Sequence, residues 1–590
     1  MDPSALQCGE KATYFSTSSV SSSSSAARKP IRDVVRKFRW IRRIVQGLFL
    51  ILFLLLLLHT TFRGSFSANP DSIVLIPWSV DWFFYIDPYA SLLVFLSTWT
   101  VYKASVASVI VVLLTLVFGR VFCGWICPMG TMHHVLGWLL PSNRGKGAKR
   151  IAANRTAPAR QRVKYYILYA SIGAAVAGSV IGGLFDPIAF LVRSLGMSVL
   201  PSAQYVVGRF YENTSQSDYL AVILLGDGIN YIFSHAVWQS NQFHYNGGWI
   251  IGVLFVVLLF MNRIIPRFWC RVLCPLGAML GILSRFSLFG LVKYRQACTD
   301  CNLCLLHCQG ADSPQGGEKW LQHECHMCLN CENACPENAI EMRFLPNREN
   351  TASKPDTVRR TALATTFAGL AVIPAVRTSG AFGPNFDADR IRPPGAVDER
   401  EFLGRCIRCG VCMKVCPNNA LHAALGVGGL EALWTPIVVP RVGYCEQSCF
   451  LCAQVCPTGA INRTADLEQG GSELPSPIKI GTAFYDHGRC LPWAMQIPCI
   501  VCEEFCPTSP KAIWVEEVEV IKRENKHSKD GGPPETTTIK LQRPHVDPSL
   551  CVGCGACEKV CPVVDKPAIR VSSVGEKRSK TNAILLRNTE

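Results

Sequence analysis

The sequence predicts a chain of mixed class, in which an α-helical membrane bundle is joined to small, cysteine-rich α+β modules. Two observations lead to this prediction. Long apolar runs alternate with basic loops in the first half of the chain, and 24 of the 29 cysteines fall into six groups of four with short, regular spacing. A length of 590 residues is enough for several domains.

The first apolar run has the features of a membrane-spanning helix. Residues 28–43 carry eight Lys or Arg, and the run that follows, from Ile44 to Phe62, contains LFLILFLLLLL. A run of about 20 residues fits a spanning helix. No small-residue cleavage site follows closely, so a retained span is favoured over a signal peptide. Because Lys and Arg residues that flank a span stay on the cytoplasmic side of the membrane, the N-terminus is expected in the cytoplasm.

Three further apolar runs complete a predicted bundle of four spans. The loop from Arg144 to Lys164 holds eight Lys or Arg and is expected to be cytoplasmic, whereas 63–90 and 186–247 hold few and are expected outside. The loop charges therefore alternate consistently along the chain. The three runs are 91–119, 165–184 and 248–265.

The membrane half contains an internal repeat. CGWICPMG at 123–130 returns as CRVLCPLG at 270–277, and YIDPYASLLVFL at 85–96 is similar to LFDPIAFLVRSL at 184–195. Repeats in membrane proteins often place a site at the repeat interface. The cysteines of the two copies are Cys123, Cys127, Cys270 and Cys274.

These four cysteines admit several interpretations. Cysteines at i and i+4 share one helix face. The two pairs are therefore expected to converge into one site that holds a cluster, a metal ion or a redox-active dithiol. The structural alternative is that they are small, soft residues packed beside a Pro-Gly turn. Four thiols beside a cysteine-rich module favour a redox function over a structural one. The bound species does not follow from the spacing.

The six groups of four cysteines have the spacing of [4Fe–4S] ligands. In this motif three cysteines wrap one cluster, and the fourth, usually before proline, ligates the other cluster of a two-cluster ferredoxin. Zinc ribbons rarely repeat four cysteines at this spacing, and disulfides are the remaining alternative. The groups are Cys298, Cys301, Cys304 and Cys308; Cys325, Cys328, Cys331 and Cys335; Cys406, Cys409, Cys412 and Cys416; Cys445, Cys449, Cys452 and Cys456; Cys490, Cys499, Cys502 and Cys506; Cys551, Cys554, Cys557 and Cys561.

The groups form two blocks. The first two predict a two-cluster ferredoxin unit in which Cys308 and Cys335 are exchanged, although Gln309 replaces the usual proline. The other four predict a four-cluster module. Its second and third groups have extra residues in the first gap. This irregularity suggests that the second group pairs with the third, and the first with the fourth.

Six clusters in one chain indicate electron transfer rather than a structural role. No dinucleotide-binding fingerprint, phosphate-binding loop or c-type haem motif is present, so the chain is expected to lack a flavin or nucleotide site. No DNA-binding motif is visible, and the net charge of +16 comes mainly from the flanks of the apolar runs. A nucleic-acid partner and a cytoplasmic redox sensor are therefore not supported.

A twin arginine lies between the two blocks. Arg359 and Arg360 precede a moderately apolar stretch, Thr361 to Val376, and this pattern resembles an export signal for folded proteins. The stretch is short for a span, so a surface helix is the alternative. A crossing is favoured because it leaves the arginines inside and moves the four-cluster module to the periplasm.

The chain as a whole resembles two known families joined together. Residues 40–345, with CGWICP, CRVLCP and two ferredoxin motifs, resemble the membrane-bound ferredoxin-type subunit of the periplasmic nitrate reductase system (NapH type). Residues 355–575, with the twin arginine and four motifs, resemble its exported partner (NapG/MauM type). The resemblance implies a quinol dehydrogenase component. It would oxidise menaquinol or ubiquinol and pass electrons to a periplasmic reductase or c-type cytochrome.

A second function is compatible with the same motifs. The chain also resembles two other kinds of membrane ferredoxin with Cys-x-x-x-Cys-Pro pairs, the type that regulates nitrous oxide reductase and a type that is linked to copper reduction in the assembly of cytochrome oxidase. The alternative is therefore a supply of electrons for the biogenesis of copper or other metal centres. The four-cluster module favours the respiratory role.

Candidates for the quinol site lie on both sides of the bundle. Asp87 and Asp186 are candidate proton acceptors on the outer side, although Asp before Pro is also a typical helix N-cap. His133 and His134 follow the first cysteine pair and are candidates on the inner side, or interfacial helix residues.

These features predict a multi-pass protein of the bacterial inner membrane that contacts lipid. They also divide the chain into six parts. The two-cluster domain is expected in the cytoplasm and the four-cluster module in the periplasm. The parts are a basic, disordered tail (1–40), a four-span domain (41–290), the two-cluster domain (291–345), a linker with the crossing (346–400), the four-cluster module (401–575) and a tail (576–590).

Overall fold

Three long helices connect two groups of short helices and strands in the computed structural model of the chain. We name them the N-terminal helix (Lys29–His59), the middle helix (Ala157–Val176) and the linker helix (Arg359–Thr378). The predicted N-terminal tail up to residue 28, most of the basic loop before Lys164 and the end of the C-terminal tail lie outside the described residues. The structure describes residues 29–62, 76, 78–139, 157–236, 243–310, 320–345, 359–379, 387–447, 449–462, 477–524 and 535–579.

The predicted bundle of four spans is not supported by the length and composition of the described helices. By length and composition, two described helical segments could cross a membrane, Trp40–His59 and Arg359–Thr378. The first overlaps the predicted span 44–62, and the second contains the stretch 361–376. The other three apolar runs do not form helices that pass this test.

Helix-ending residues divide the other apolar runs. Trp99, with φ of 57°, ends a helix within the run 91–119, and Gly178, with φ of 84°, follows the end of the middle helix. Hydropathy counts apolar side chains, which are the same in a short buried helix as in a span, so it did not reveal these ends. The helices that replace the runs are Pro88–Thr98, Ser108–Phe118, Ala157–Val176 and Gly248–Met261.

The remaining helices of the first half are short. The segment 186–247, expected to be an outer loop, contains three helices before residue 237. We name Cys123 with Cys127, and Cys270 with Cys274, the two Cys-Pro pairs, because a proline follows the second cysteine of each. Two further helices begin at these prolines. These helices are Trp82–Tyr85, Pro128–Leu139, Pro187–Ser194, Leu200–Ser215, Leu220–Ala236 and Pro275–Ser284.

The two-cluster domain packs against the N-terminal ends of the long helices. Arg42 of the N-terminal helix donates a hydrogen bond to the Asn330 side chain (3.2 Å). Glu324 accepts hydrogen bonds from Lys164 and from the Tyr165 hydroxyl of the middle helix, the latter at 3.0 Å. The domain consists of strands Phe289–Lys293 and Ile340–Phe344, which pair antiparallel, and helices Leu303–His307 and Asn330–Ala334.

The four-cluster module packs against the opposite ends of the same helices. Lys414 donates to the Thr61 hydroxyl just beyond the N-terminal helix (2.9 Å). Arg377, at the end of the linker helix, forms an ion pair with Glu431 (2.6 Å). The N-terminal helix rises by about 26 Å from Arg42, which contacts the two-cluster domain, to His59, two residues before Thr61, at 1.5 Å per residue. The two cluster-bearing parts are therefore separated by about the thickness of a hydrocarbon layer.

The middle and linker helices pack closely because glycines face each other's backbone. A Cβ at Gly173 would lie 2.1 Å from the Thr366 carbonyl oxygen, and a Cβ at Gly369 would lie 2.1 Å from that of Ala170. Small residues allow this close approach, as they do between membrane helices. Both helices run from the two-cluster domain to the four-cluster module.

The four-cluster module is built from short elements and one long hairpin. Two strand pairs, 421–423 with 436–438 and 482–485 with 569–572, are antiparallel, and so is the hairpin. Its helices are Glu399–Arg405, Val411–Val415, Leu451–Gln454, Leu491–Ala494, Val501–Glu504 and Ala556–Val560. Its strands are Leu421–Ala423, Pro436–Val438, Thr482–Tyr485, Ile513–Glu524, Glu535–Val546 and Ile569–Ser572.

A buried carboxylate ties the start of this module to its C-terminal end. Glu399 accepts hydrogen bonds from Arg392 (2.6 and 3.1 Å) and Arg578 (2.9 Å), and Arg390 lies 3.8 Å away. Burial raises the pKa of Glu399, but the neighbouring arginines outweigh burial and lower it to about 2. The ionised carboxylate therefore stabilises the fold above the unfolded pKa of about 4.5, and this contribution is lost as pH falls toward 2.

Glu399→Gln is expected to lower the free energy of unfolding of the module by about 3 kcal/mol at pH 7. The reason is that the arginines lose their buried anionic partner. Urea unfolding at pH 7 and pH 4 measures the effect, and the difference from the wild type is expected to shrink at pH 4. Glu401→Gln, in the same helix but in an exposed pair with Arg405, is the matched control. Equal stability of the two variants would contradict the prediction.

Candidate functional site

The first two cysteine groups of the four-cluster module share their ligands. One cavity is lined by Cys406, Cys409 and Cys412 together with Cys456 of the second group. A second cavity is lined by Cys445, Cys449 and Cys452 together with Cys416 of the first group. We name these sites A and B. The strand pair 421–423 and 436–438 lies between the two groups and closes them into one ferredoxin unit.

The third and fourth groups form a second ferredoxin unit. Cys490 has Cys499, Cys502 and Cys561 as electrostatic neighbours, and we name this set site C. Cys554 has Cys551 and Cys506 as neighbours, and Cys557 has Cys554 and Cys551, which defines site D. The strand pair 482–485 and 569–572 encloses both groups.

The predicted pairing of second with third and first with fourth group is therefore wrong. Neighbouring groups pair instead, because a short strand pair closes each unit locally. The additional residues in the irregular gaps are accommodated within the unit to which they belong.

The two ferredoxin units touch at sites B and D. The Cys445 amide donates to the Cys554 carbonyl oxygen (2.8 Å), and a Cβ at Gly555 would lie 2.8 Å from Pro440. The order of sites is therefore A, B, D, C. Electrons that enter at site A reach site C only after passing the contact between the units.

The two-cluster domain repeats the arrangement of a strand, two cysteine groups and a strand. Cys298, Cys301 and Cys304 line one cavity together with Cys335 of the second group. The cysteines of the other set, Cys308, Cys325, Cys328 and Cys331, are all buried.

These sites fit [4Fe–4S] clusters in the chemistry of their donors. The cysteines of the described residues form no disulfides. Backbone amides also donate to ligand sulfurs, for example Ala420 to Cys416 (3.3 Å), Ala483 to Cys551 (3.4 Å) and Ala339 to Cys335 (3.2 Å). Such hydrogen bonds stabilise a thiolate and tune the potential of a bound cluster.

Asp87 and Asp186, 99 positions apart in the chain, lie side by side and fully buried. Each caps a helix that begins with Pro: Asp87 accepts from the Tyr89 amide (2.9 Å), and Asp186 accepts from the Ile188 and Ala189 amides (3.3 and 2.9 Å). The second carboxylate oxygen of Asp87 has no donor among the described residues. Burial and then the neighbouring Asp186 raise the pKa of Asp87 well above its usual value. The pair therefore favours holding one proton.

Arg193 links this pair to site A. Its side chain is buried and donates to the Leu184 carbonyl oxygen (2.7 Å). It interacts electrostatically with Asp186 and with Cys409 and Cys406. Its Nε and Nη1 atoms have no partner among the described residues. Sequence reasoning missed Arg193, although a charged residue inside the apolar repeat FLVRSL was a usable signal.

His133 and His134 lie away from the aspartate pair. His133 is buried beside Asn262, whose side chain donates to the His133 carbonyl oxygen (3.1 Å). Burial, and next the charge of Arg267, lower the pKa of both histidines to about 4. Both are therefore neutral at pH 7, and the structure does not bring either of them to the aspartates.

The cysteines of the two Cys-Pro pairs lie in irregular turns rather than on regular helix faces. Phe122–Ile126 and Trp269–Leu273 are π-helical turns, and Cys127 and Cys274 follow them directly. Such turns occur frequently at functional sites. All four cysteines are buried, and the electrostatic neighbours of Cys274 are the other three. We name this set the four-cysteine site.

The fold and these sites define a multi-cluster iron–sulfur protein for electron transfer. Two family models, both described as 4Fe-4S binding domain, match residues 102–147 and 245–292, and residues 402–422 and 544–564. The first pair of matches covers the two Cys-Pro pairs.

Curated relatives place the chain more narrowly. Ferredoxin-type protein NapG of Escherichia coli is 37% identical over 184 residues, which are 31% of this chain and 70% of NapG. The methylamine utilization ferredoxin-type protein MauM of Methylorubrum extorquens is 34% identical over 215 residues, which are 35% of this chain and 81% of MauM. The chain belongs to the family of ferredoxin-type proteins that includes NapG and MauM. No solved structure matches it.

Proposed function

We propose that the chain oxidises quinol beside Asp87 and Asp186 and passes the electrons through site A into the four-cluster module. The proposal depends on the contact between the buried carboxyl groups of Asp87 and Asp186. The helix that Asp186 caps, Pro187–Ser194, contains Arg193, which interacts with the ligands of site A. A general base close to an electron acceptor is what hydroquinone oxidation requires.

The aspartate pair supplies the proton acceptor. Oxidation of a quinol releases two protons and two electrons. A pair that shares one proton carries one negative charge and can therefore accept one hydroxyl proton at a time. The pair must release the first proton to water on the outer side before it accepts the second. Because Arg193 is charged and interacts electrostatically with both Asp186 and the ligands of site A, it favours an extra electron on the cluster while the pair is ionised.

The electrons then leave through the sequence of sites A, B, D and C. Cys499 of site C, at the far end, is partly exposed. We propose that a periplasmic reductase or c-type cytochrome accepts electrons there. The NapG and MauM relatives support a ferredoxin-type partner role in such a system.

The two candidate spans support a location in the bacterial inner membrane. The N-terminal and linker helices have the length to cross lipid, with basic residues at their N-terminal ends. In this arrangement the two-cluster domain, residues 291–345, faces the cytoplasm, and the four-cluster module, residues 401–575, faces the periplasm. Residues 41–290 then correspond to the NapH type, and the chain joins two partners of one electron-transfer system. The shorter helices complete a multi-pass domain as re-entrant or tilted segments.

Anaerobic mixing with quinol tests the proposal. The purified full chain in lipid nanodiscs is expected to show bleaching of its cluster absorbance and new EPR signals after the addition of menaquinol or ubiquinol. Clusters that ignore both quinols but accept electrons from dithionite would overturn the proposal. That result would favour the supply of electrons for metal-centre biogenesis instead.

A further inference from the structure

The four-cysteine site lies within a surplus of buried positive charge. Arg120, Arg267 and Lys164 are at most 2% exposed, and the buried anion among them is Glu324. Arg267 interacts electrostatically with Cys270, and Arg120 with Cys123 and Cys274.

The nitrogen atoms of these arginines lack acceptors. Nε, Nη1 and Nη2 of Arg267, and Nε and Nη2 of Arg120, have no hydrogen-bond partner among the described residues. Burial of charged donors without partners costs several kcal/mol per group. The buried positive charge therefore favours negative charge at the four cysteines. The thiolates together with a bound group would supply this negative charge.

The four cysteines form no disulfide. The buried arginine nitrogens without acceptors favour an occupant that keeps all four thiolates anionic. The metal and sulfide content of the protein distinguishes a cluster from a single metal ion.

The two motif copies are built alike around the thiols. The Gly277 amide donates to Cys274 Sγ (3.2 Å), and a Cβ at Gly277 would lie 2.7 Å from the Arg120 guanidinium. In the other copy, a Cβ at Gly130 would lie 2.7 Å from the Cys123 carbonyl oxygen. Glycine at the third position after the second cysteine therefore keeps the backbone close to the sulfur in both copies.

The site touches the two-cluster domain directly. The turn that carries Cys123 contacts the loop that carries Cys325 and Cys328: Trp125 Nε1 donates to the Met327 carbonyl oxygen (3.1 Å), and Arg120 donates to that of His323 (2.8 Å). A Cβ at Gly124 would lie 2.2 Å from the His326 carbonyl oxygen.

The site also lies near the aspartate pair. Tyr89 is fully buried, donates to the Gly182 carbonyl oxygen (3.0 Å) and interacts electrostatically with Asp87, Asp186 and Cys274. Tyr89 thus lies within electrostatic range of both the four-cysteine site and the aspartates.

We infer that Cys123, Cys127, Cys270 and Cys274 bind a seventh [4Fe–4S] cluster, which relays electrons between the two-cluster domain and the site beside the four-cluster module. The cluster and its thiolates form an anion that Arg120 and Arg267 neutralise. The family model that matches both motif copies is compatible with this assignment. The relay role depends on the proposed quinol oxidation, whereas the presence of the cluster does not.

The iron and acid-labile sulfide content of the anaerobically purified full chain tests the inference. Cys123→Ser/Cys274→Ser is expected to hold about four iron atoms and four sulfides fewer per chain than the wild type. Cys8→Ser, which removes the cysteine outside all motifs, is the matched control and is expected to lose none. Unchanged iron and sulfide content would overturn the inference, and so would the loss of zinc or copper instead of iron.

Single variants keep the test decisive if the double variant fails to fold. Cys127→Ser and Cys274→Ser come from different motif copies, and both are expected to remove the same EPR signal and leave the other clusters intact. Two different signals, or none, would contradict a shared cluster. In the double variant, quinol is expected to reduce the four-cluster module but no longer the two-cluster domain. If quinol reduces no cluster even in the wild type, the proposed function fails while the iron content still decides the inference.

Discussion

Asp186→Asn is expected to slow the reduction of the clusters by quinol at least 100-fold, the usual magnitude for the loss of a general base. Asparagine retains one oxygen, which can accept one of the two amide hydrogen bonds at the start of Pro187–Ser194, so part of the helix cap is kept. The acceptor for the quinol proton is lost. Stopped-flow spectroscopy under anaerobic conditions, with the chain in nanodiscs, measures the rate.

The pH dependence distinguishes a proton acceptor from a structural cap. The wild-type rate is expected to rise with pH as the aspartate pair changes from the doubly protonated to the singly protonated form, because only a pair that carries a negative charge can accept a proton from quinol. The rise is expected to disappear in Asp186→Asn and in Asp87→Asn. Asp81→Asn is the matched control, since Asp81 is buried but bonds to the Tyr85 hydroxyl (2.5 Å). Full activity in both pair variants would rule out the proposed site.

Cys456→Ser is expected to abolish the transfer of electrons from quinol to sites B, D and C. Although Cys456 belongs to the second cysteine group, it lines site A with Cys406, Cys409 and Cys412. Loss of a ligand at site A removes the first electron acceptor beside Arg193. EPR after the addition of quinol, and again after dithionite, measures the effect: dithionite is expected to reduce the remaining clusters.

Two further cysteine variants check the pairing of the groups. Cys416→Ser is expected to perturb site B and leave site A reducible by quinol, because Cys416 lines the cavity of the second group. Cys561→Ser is expected to perturb the cluster of Cys490 and not that of Cys406. A perturbation of site A by Cys561→Ser would restore the pairing of first and fourth groups that the structure contradicts.

Asp87 and Asp186 show why the sequence alone could not place the two carboxyl groups in one site. The pattern Asp-Pro predicts a helix N-cap from neighbouring residues alone, and the structure has that cap at both positions. Whether a carboxyl group also faces another carboxyl group depends on the packing of helices that begin far apart in the chain. Because one oxygen of Asp87 caps its helix and the other faces Asp186, the two interpretations describe the same residue.

The apolar runs show that hydropathy alone could not predict where helices end. The run at 44–62 and the stretch at 361–376 were predicted to cross the membrane, and helices long enough to do so contain most of them. The run 91–119 contains a helix end at Trp99. The helix in the run 165–184 ends before Gly178 and carries three basic residues, Arg160, Arg162 and Lys164, near its start. A left-handed backbone residue at such a position is decided by the chain around it and is not visible in hydropathy.

The sequence by itself determined the multi-cluster class of the protein and the cysteines that belong to each motif. In four of the six groups, three ligands lie within seven residues and are placed by local chain geometry. It also identified the duplicated Asp-Pro and Cys-Pro segments. Only the tertiary structure decided which cysteine completes each ligand set, which helices reach across the fold, and that Arg193 and Tyr89 join the aspartate pair to its redox neighbours. These arrangements depend on contacts between residues far apart in the chain, and packing rather than local spacing selects them.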